Sequence, residues 1–164
     1  MLILVATLML TSGLEAGCGK ESSDERHEAV VFYQGVYPIS KGISEVADDW
    51  AAFYQHGATY GANSQQVSDM AQECTSRLQG FYDDLSKLYA PTPLRQLKDD
   101  LADLLTSGIE AYTLEQQCAV TGDISLCNQA NSKLLDLNRL INRAADEWDD
   151  GLAHYGIKSS EILP

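Results

Sequence analysis

Apolar and small residues recur along the chain at alternating steps of three and four, and the longest such series runs from Ile43 to Leu88. A series with this spacing lies on one face of an α-helix, which turns once in about 3.6 residues. It therefore predicts a long helix whose apolar face packs against other helices of this chain or of a second copy. Its members are Ile43, Val46, Trp50, Phe53, Gly57, Tyr60, Ser64, Val67, Ala71, Cys74, Leu78, Phe81, Leu85 and Leu88.

The middle of this series is weak. Gly57 and Gly61 each cost about 1 kcal/mol of helix propensity. Asn63, followed three residues later by Gln66, has the spacing of a capping box at a helix start. One straight helix over the whole series would be about 69 Å long and would extend beyond its partners. We therefore predict a kink or a break between residues 57 and 64.

Two further apolar series follow a proline-rich boundary. Pro91 disfavours helical geometry in the residue before it, whereas Pro93 suits the first turn of a helix that Thr92 would cap. This helix should end near Thr121-Gly122, and Asp123 or Ser125 should cap the next one. The two inner faces comprise Leu94, Leu97, Leu101, Leu104, Gly108, Ala111 and Cys118, then Cys127, Ala130, Leu134, Leu137, Ile141, Ala144 and Trp148.

These elements predict an all-α fold. Its connections are short, so neighbouring helices should run antiparallel. We expect an antiparallel helical bundle of three long helices, or of four if the first one breaks near residues 57–64. The bundle domain should span residues 41–156, with a C-terminal tail at 157–164.

The N-terminal segment has the pattern of an export signal. Its apolar run, from Leu2 to Leu10, is too short to span a bilayer and is followed by small and turn-forming residues. The next residues, Leu14-Glu15-Ala16-Gly17-Cys18-Gly19, resemble the lipobox of bacterial lipoproteins, in which a small residue precedes a lipidated cysteine. The resemblance implies a signal peptide over residues 1–17 and a lipid anchor on Cys18 at the extracytoplasmic side of the membrane. The alternatives are an ordinary signal peptide cut near Ala16 and an uncleaved anchor.

Residues 18–40 are predicted to connect this anchor to the bundle. Gly19 to Glu28 contains only polar residues and glycine, which indicates a tether. Ala29 to Pro38 contains β-branched and aromatic residues, an internal glycine and a closing proline. We predict that it forms an extended arm on the bundle; a partner-binding strand is the alternative.

A second resemblance concerns the bundle itself. The proline-bounded helix start, the turn at Gly122-Asp123 and the following Ala130-Asn131 resemble small uncharacterised bacterial lipoproteins that pair a tether with an antiparallel bundle. This resemblance covers roughly Tyr82 to Trp148 and brings no functional residue with it.

The charge of the chain limits its partners. There are 24 acidic and 11 basic residues, which give a formal net charge of -13. This charge opposes binding to nucleic-acid phosphates and to anionic lipid head groups, so nucleic-acid functions are disfavoured. A solvated surface is the main interpretation of the excess acid, and a cation or a basic protein as partner is the alternative.

Metal and cofactor sites find little support. The only histidines are His27, His56 and His154, and the haem-attachment and di-iron patterns are both missing from the sequence. Asp150 and His154 have the spacing of one helix face, but two ligands do not make a metal site. We therefore predict no cofactor and no metal.

Four pairs of adjacent aspartates lie along the predicted helices, and we interpret them as exposed surface. They lack the loop pattern of an EF-hand. The tryptophans beside two of these pairs are expected in the core. A row of asparagines on the third helix could bind a ligand, although an exposed or inter-helix edge is the commoner outcome. The pairs are Asp48-Asp49, Asp83-Asp84, Asp99-Asp100 and Asp149-Asp150, the tryptophans are Trp50 and Trp148, and the row is Asn128, Asn131, Asn138 and Asn142.

Cys118 and Cys127 lie symmetrically about the predicted Gly122-Asp123 turn. In an antiparallel hairpin, residues equidistant from the turn face each other, and export would supply the oxidising compartment that a disulfide needs. We therefore predict a Cys118–Cys127 disulfide, with Cys74 left as a buried thiol. Three reduced core cysteines are the alternative.

The sequence also lacks the nucleophile and metalloprotease motifs of hydrolases. The leading hypothesis is a non-enzymatic, lipid-anchored extracytoplasmic bundle that binds another envelope component. The alternative is a periplasmic or extracellular bundle that binds a small ligand or a metal.

Overall fold

Four long helices form the part of the chain that the structure describes, and they run up, down, up and down. The computed structural model describes residues 23–60 and 63–163. Its elements are α1 (Ser23–Tyr60), α2 (Ser64–Lys87), a 3-10 turn (Thr92–Leu94), α3 (Arg95–Thr121), α4 (Ile124–Tyr155) and the short α5 (Ser159–Ile162). The predicted all-α bundle is confirmed, and it has four long helices because the first predicted helix is broken. None of the helices that the structure describes combines the length and the apolar composition that a bilayer span requires.

The break lies where the sequence predicts it. Helix α1 ends at Tyr60, and Asn63 caps α2 with the predicted capping box. The Asn63 side chain accepts a hydrogen bond from the Gln66 amide at 3.0 Å, and the Gln66 side chain accepts one from the Asn63 amide at 3.0 Å. These bonds satisfy backbone donors that a helix start otherwise leaves unpaired.

The predicted extended arm at Ala29 to Pro38 is wrong. The structure continues α1 back to Ser23, so the last six residues of the predicted tether are helical. The helix does not begin near Ile43, and the bundle does not begin at residue 41. The three-and-four spacing of the core residues continues upstream through Ala29, Phe32, Val36 and Ile39, all buried. Their burial outweighs the roughly 3 kcal/mol that a proline costs inside a helix.

Glycines of α1 permit close packing against α2. A Cβ on Gly35 would lie 2.7 Å from Leu88 Cδ2, and one on Gly42 would overlap the ring of Phe81. These glycines are seven residues apart on one face, as are the two residues they contact. They look like helix breakers in the sequence, but here they bring two helix backbones together.

The boundaries of the other helices follow the sequence closely. Gly122 ends α3 with φ +69°, and the Asp123 side chain caps α4 by accepting from the Ser125 amide at 2.8 Å. Thr92 begins the 3-10 turn but makes no side-chain capping bond, so that part of the prediction is wrong.

The predicted C-terminal tail belongs to the bundle. Ile157 and Ile162 are buried in the core. Arg26 at the start of α1 donates to the carbonyls of Tyr155 and Gly156 and to both carboxylate oxygens of Glu161. The first turn of α1, the end of α4 and α5 therefore meet at one end of the bundle, here called the base.

Candidate functional site

The disulfide between Cys118 and Cys127 closes the α3–α4 hairpin at the end of the bundle opposite the base. The two Cα atoms lie 5.1 Å apart, and the bond joins the last turn of α3 to the first turn of α4. This confirms the predicted pairing. Among the described residues, Cys74 is the free cysteine, and it is buried as predicted. Burial raises the pKa of its thiol to about 12, so it is not a reactive nucleophile.

Uncharged residues dominate this end of the bundle, here called the hairpin end. Residues 116–132 contain one charged residue, Asp123, in a chain with 35 charged residues in all. Two large aliphatic side chains are exposed there: Val120 by 71% and Ile124 by 73%. The first turn of α2 lies at the same end, and residues 63–68 are uncharged as well. Charged residues are depleted at the centres of protein interfaces, so this charge-poor surface with exposed aliphatic groups is a candidate interface.

A buried cluster of aromatic rings and one carboxyl group lies beneath the hairpin end. Trp50 packs on Tyr54 and Tyr112, with ring centroids 5.0 and 4.9 Å apart. The Tyr54 hydroxyl donates to Glu115 Oε2 at 3.3 Å. Burial raises the pKa of Glu115, and the hydrogen bond from Tyr54 partly opposes that rise. Both tryptophans of the chain are buried, as predicted.

Glu115 was missed in the sequence, although a signal for it exists. It lies in phase with the inner face of α3, between Ala111 and Cys118. A charged residue in step with an apolar series indicates a buried ionisable group. Of the described acidic residues, only Glu115 and Asp100 are buried.

Asp100 departs from the prediction that the aspartate pairs are surface. The other seven members are exposed, but Asp100 is buried between α3 and α4. Its Oδ1 atom accepts from Gln96 at 2.9 Å and lies 2.7 Å from the Arg143 guanidinium, which also contacts Asp103. This pair joins two helices, so we assign it a structural role. Asp100 and Arg143 lie far apart in the sequence, so no local pattern predicted the pair.

The remaining predicted residues do not form a site. Cys18 lies outside the described residues. His27, Asp150 and His154 are exposed, and the described residues contain no group of three potential metal ligands. The asparagine row lies on the outer face of α4; Asn128, Asn131 and Asn142 are exposed, and Asn138 is half-buried.

Comparison with known proteins gives no relative. No family model, curated protein or solved structure matches the chain.

Proposed function

We propose that the chain is a lipid-anchored, extracytoplasmic helical bundle that binds another protein of the cell envelope and has no enzymatic activity. The observation that carries this proposal is the disulfide-closed hairpin, which presents uncharged residues and exposed aliphatic groups at one end of the bundle. The membrane anchor is Cys18, and the partner binds the hairpin end.

The disulfide supports export. Disulfides persist in oxidising compartments and are rare where glutathione and thioredoxin keep thiols reduced. The Cys118–Cys127 bond therefore agrees with the signal-peptide pattern of residues 1–17, which is an independent feature of the sequence.

The position of α1 sets the orientation that this proposal implies. Four residues separate Cys18 from Ser23, so an extended connection reaches at most about 18 Å. A lipid on Cys18 would hold the base of the bundle near the membrane. Helix α3 is about 40 Å long, and the hairpin end would therefore face away from the membrane. An exposed, charge-poor surface in that position suits contact with a second envelope component.

Replacement of Cys18 by serine tests the anchor. The Cys18→Ser chain should move from the membrane fraction to the soluble extracytoplasmic fraction, and its mass should lose the acyl groups. Cys74→Ala removes a buried thiol instead and should stay in the membrane fraction. If Cys18→Ser remains membrane-bound with an unchanged mature mass, the anchor is not at this residue.

A photo-crosslinking residue at Val120 tests the partner surface in living cells. We expect a discrete adduct heavier than the monomer, with a second protein identified in it by mass spectrometry. The same residue at Val31, which is exposed on α1 near the base, serves as the control. Equal labelling at both positions, or no adduct at Val120, would contradict binding at the hairpin end.

A further inference from the structure

Helix α4 carries a second row of residues on its outer face. The six positions alternate steps of four and three, which is the spacing of a coiled-coil contact. Two of them are aliphatic and largely exposed, Ile124 by 73% and Leu135 by 68%. None is acidic or basic. The outer row consists of Ile124, Asn128, Asn131, Leu135, Asn138 and Asn142.

The bundle leaves most of this row exposed: five of the six positions are exposed, and Asn138 is half-buried. At 3.6 residues per turn, the buried residues of α4, such as Ala130, Ala144 and Trp148, lie roughly a third of a turn away from the row around the helix. None of the four asparagine side chains makes a hydrogen bond within the part of the chain that the structure describes. Each amide offers two donors and one acceptor oxygen, so each can bond to another amide.

We propose that the outer row is the contact between two parallel copies of this chain. In a parallel, in-register pair each residue meets its own copy. Ile124 packs on Ile124, Leu135 on Leu135, and each asparagine side chain bonds to the same asparagine of the second copy. An asparagine at a single position of this kind fixes the register and the oligomeric state of a coiled coil, at a cost in stability. An antiparallel pair centred on the row would instead place Leu135 opposite Asn131.

The charge distribution favours a second copy at this surface. A formal charge of -13 opposes self-association over most of the molecule. The positions that flank the row contain no acid between Ile124 and Asn142; they are Ser125, Ser132 and Arg139 on one side and Cys127, Leu134 and Ile141 on the other.

Acidic residues mark where the contact ends. Beyond Asn142, the continuation of the row and its flank contains Asp146 and Asp149, both exposed. These carboxylates would repel their copies, so the contact is confined to the upper part of α4. Leu134 and Ile141, which the bundle only half buries, lose further exposed surface in the pair.

The size of the contact indicates a reversible dimer. The row spans about 27 Å of helix, and a single helix–helix contact of that length buries less than the roughly 1,200 Å² of a stable interface. Both α1 starts lie on the same side of a parallel pair. The anchor proposed above would therefore raise the effective concentration of one copy at the contact surface of another. The dimer itself does not require the anchor.

Cysteine cross-linking in the full chain, in its native membranes, tests the arrangement. Asn131→Cys and Asn142→Cys should each give a disulfide-linked dimer on mild oxidation. In an antiparallel pair only a residue on the two-fold axis meets its own copy, so these two positions could not both cross-link. Ser76→Cys, exposed on α2, is the control. If neither cysteine cross-links more than the control does, the proposal is wrong. If only one of the two positions cross-links, the parallel arrangement is wrong.

Sedimentation velocity of the purified full chain in detergent tests the affinity. Leu135→Glu places two carboxylates in the contact and should raise the dissociation constant at least about tenfold. Val31→Glu alters another exposed aliphatic residue and should leave the constant unchanged. The unfolding temperatures of both variants should match that of the native chain. A dissociation constant that is insensitive to Leu135→Glu would refute the contact. The Cys18→Ser chain should still form the dimer. Dimer formation in that variant would show that the contact does not depend on the anchor, so a failure of the anchor proposal can be told from a failure of this one.

Discussion

The Tyr54 hydroxyl donates a hydrogen bond of 3.3 Å to Glu115 and thereby joins α1 to α3 inside the bundle. Burial raises the pKa of Glu115 above its value in the unfolded chain. The folded protein therefore binds the proton of the Glu115 carboxyl group more tightly than the unfolded protein does. The stability that this proton contributes is complete below the pKa of Glu115 in the unfolded chain, and it is lost as the pH rises through the pKa in the folded protein.

Glu115→Gln should remove this pH dependence. The amide oxygen can still accept from Tyr54, but no charge is buried at neutral or alkaline pH. We expect the free energy of unfolding to rise by on the order of 1 kcal/mol at pH 8 and to change little at pH 4, as measured by urea unfolding. The exposed Glu73→Gln on α2 should show neither effect. A gain of equal size at both pH values would mean that burial of the charge is not the cause.

The opposite pH dependence is expected at the base. The backbone amide of Lys158 and the side chain of Arg26 both donate to Glu161, and they lower its pKa. Its stabilising effect is present above an unfolded pKa of about 4.3 and is lost as the pH falls through the folded pKa. The methyl NMR signals of Ile157 and Ile162 should therefore shift toward their unfolded positions in acid before the rest of the core does.

Arg26→Ala should release the same segment at neutral pH. It removes the bonds to Glu161 and to two carbonyls, so amide exchange in residues 157–163 should accelerate. Arg26→Lys keeps the charge but cannot reproduce the paired bonds, and it should give an intermediate rate. Unchanged exchange in Arg26→Ala would show that the buried isoleucines alone hold the segment.

Gly42→Ala should weaken the packing of α1 on α2. The added methyl group overlaps the Phe81 ring, and the expected loss is about 1–3 kcal/mol of unfolding free energy. Gly80→Ala is a matched control, because a Cβ there meets no atom within 4 Å. That variant should gain up to about 1 kcal/mol from helix propensity. If thermal unfolding shows the two variants moving in the same direction, the close approach of α1 and α2 is not as described.

The hairpin disulfide should contribute measurable stability. Closure of so short a loop is worth roughly 2.5–3 kcal/mol in the chain-entropy model, so the Cys118→Ser, Cys127→Ser double variant should unfold at correspondingly lower urea. Peptide mapping without reduction should recover Cys118 linked to Cys127. Cys74 should react with an alkylating reagent only after denaturation, because it is buried. Free Cys118 and Cys127 in protein purified without a reducing agent would contradict the pairing.

Local sequence signals determined most of the helix boundaries and one part of the candidate site. Asn63 with Gln66, Pro91, Gly122 and Asp123 act within a few residues of themselves, through capping bonds and restricted backbone angles. The Cys118–Cys127 pairing followed from the same information, because the position of a tight turn fixes which residues of a hairpin face each other. These features do not depend on the rest of the fold.

The tertiary structure decided what local signals could not. Gly35 and Pro38 disfavour a helix in isolation, yet α1 passes through both because burial of its apolar face against α2, α3 and α4 outweighs their cost. Asp100 is buried because Arg143, 43 residues away in the sequence, neutralises it. The spacing of the outer row on α4 was readable in the sequence. Its exposure was not, because which face of a helix meets solvent depends on where the other helices pack.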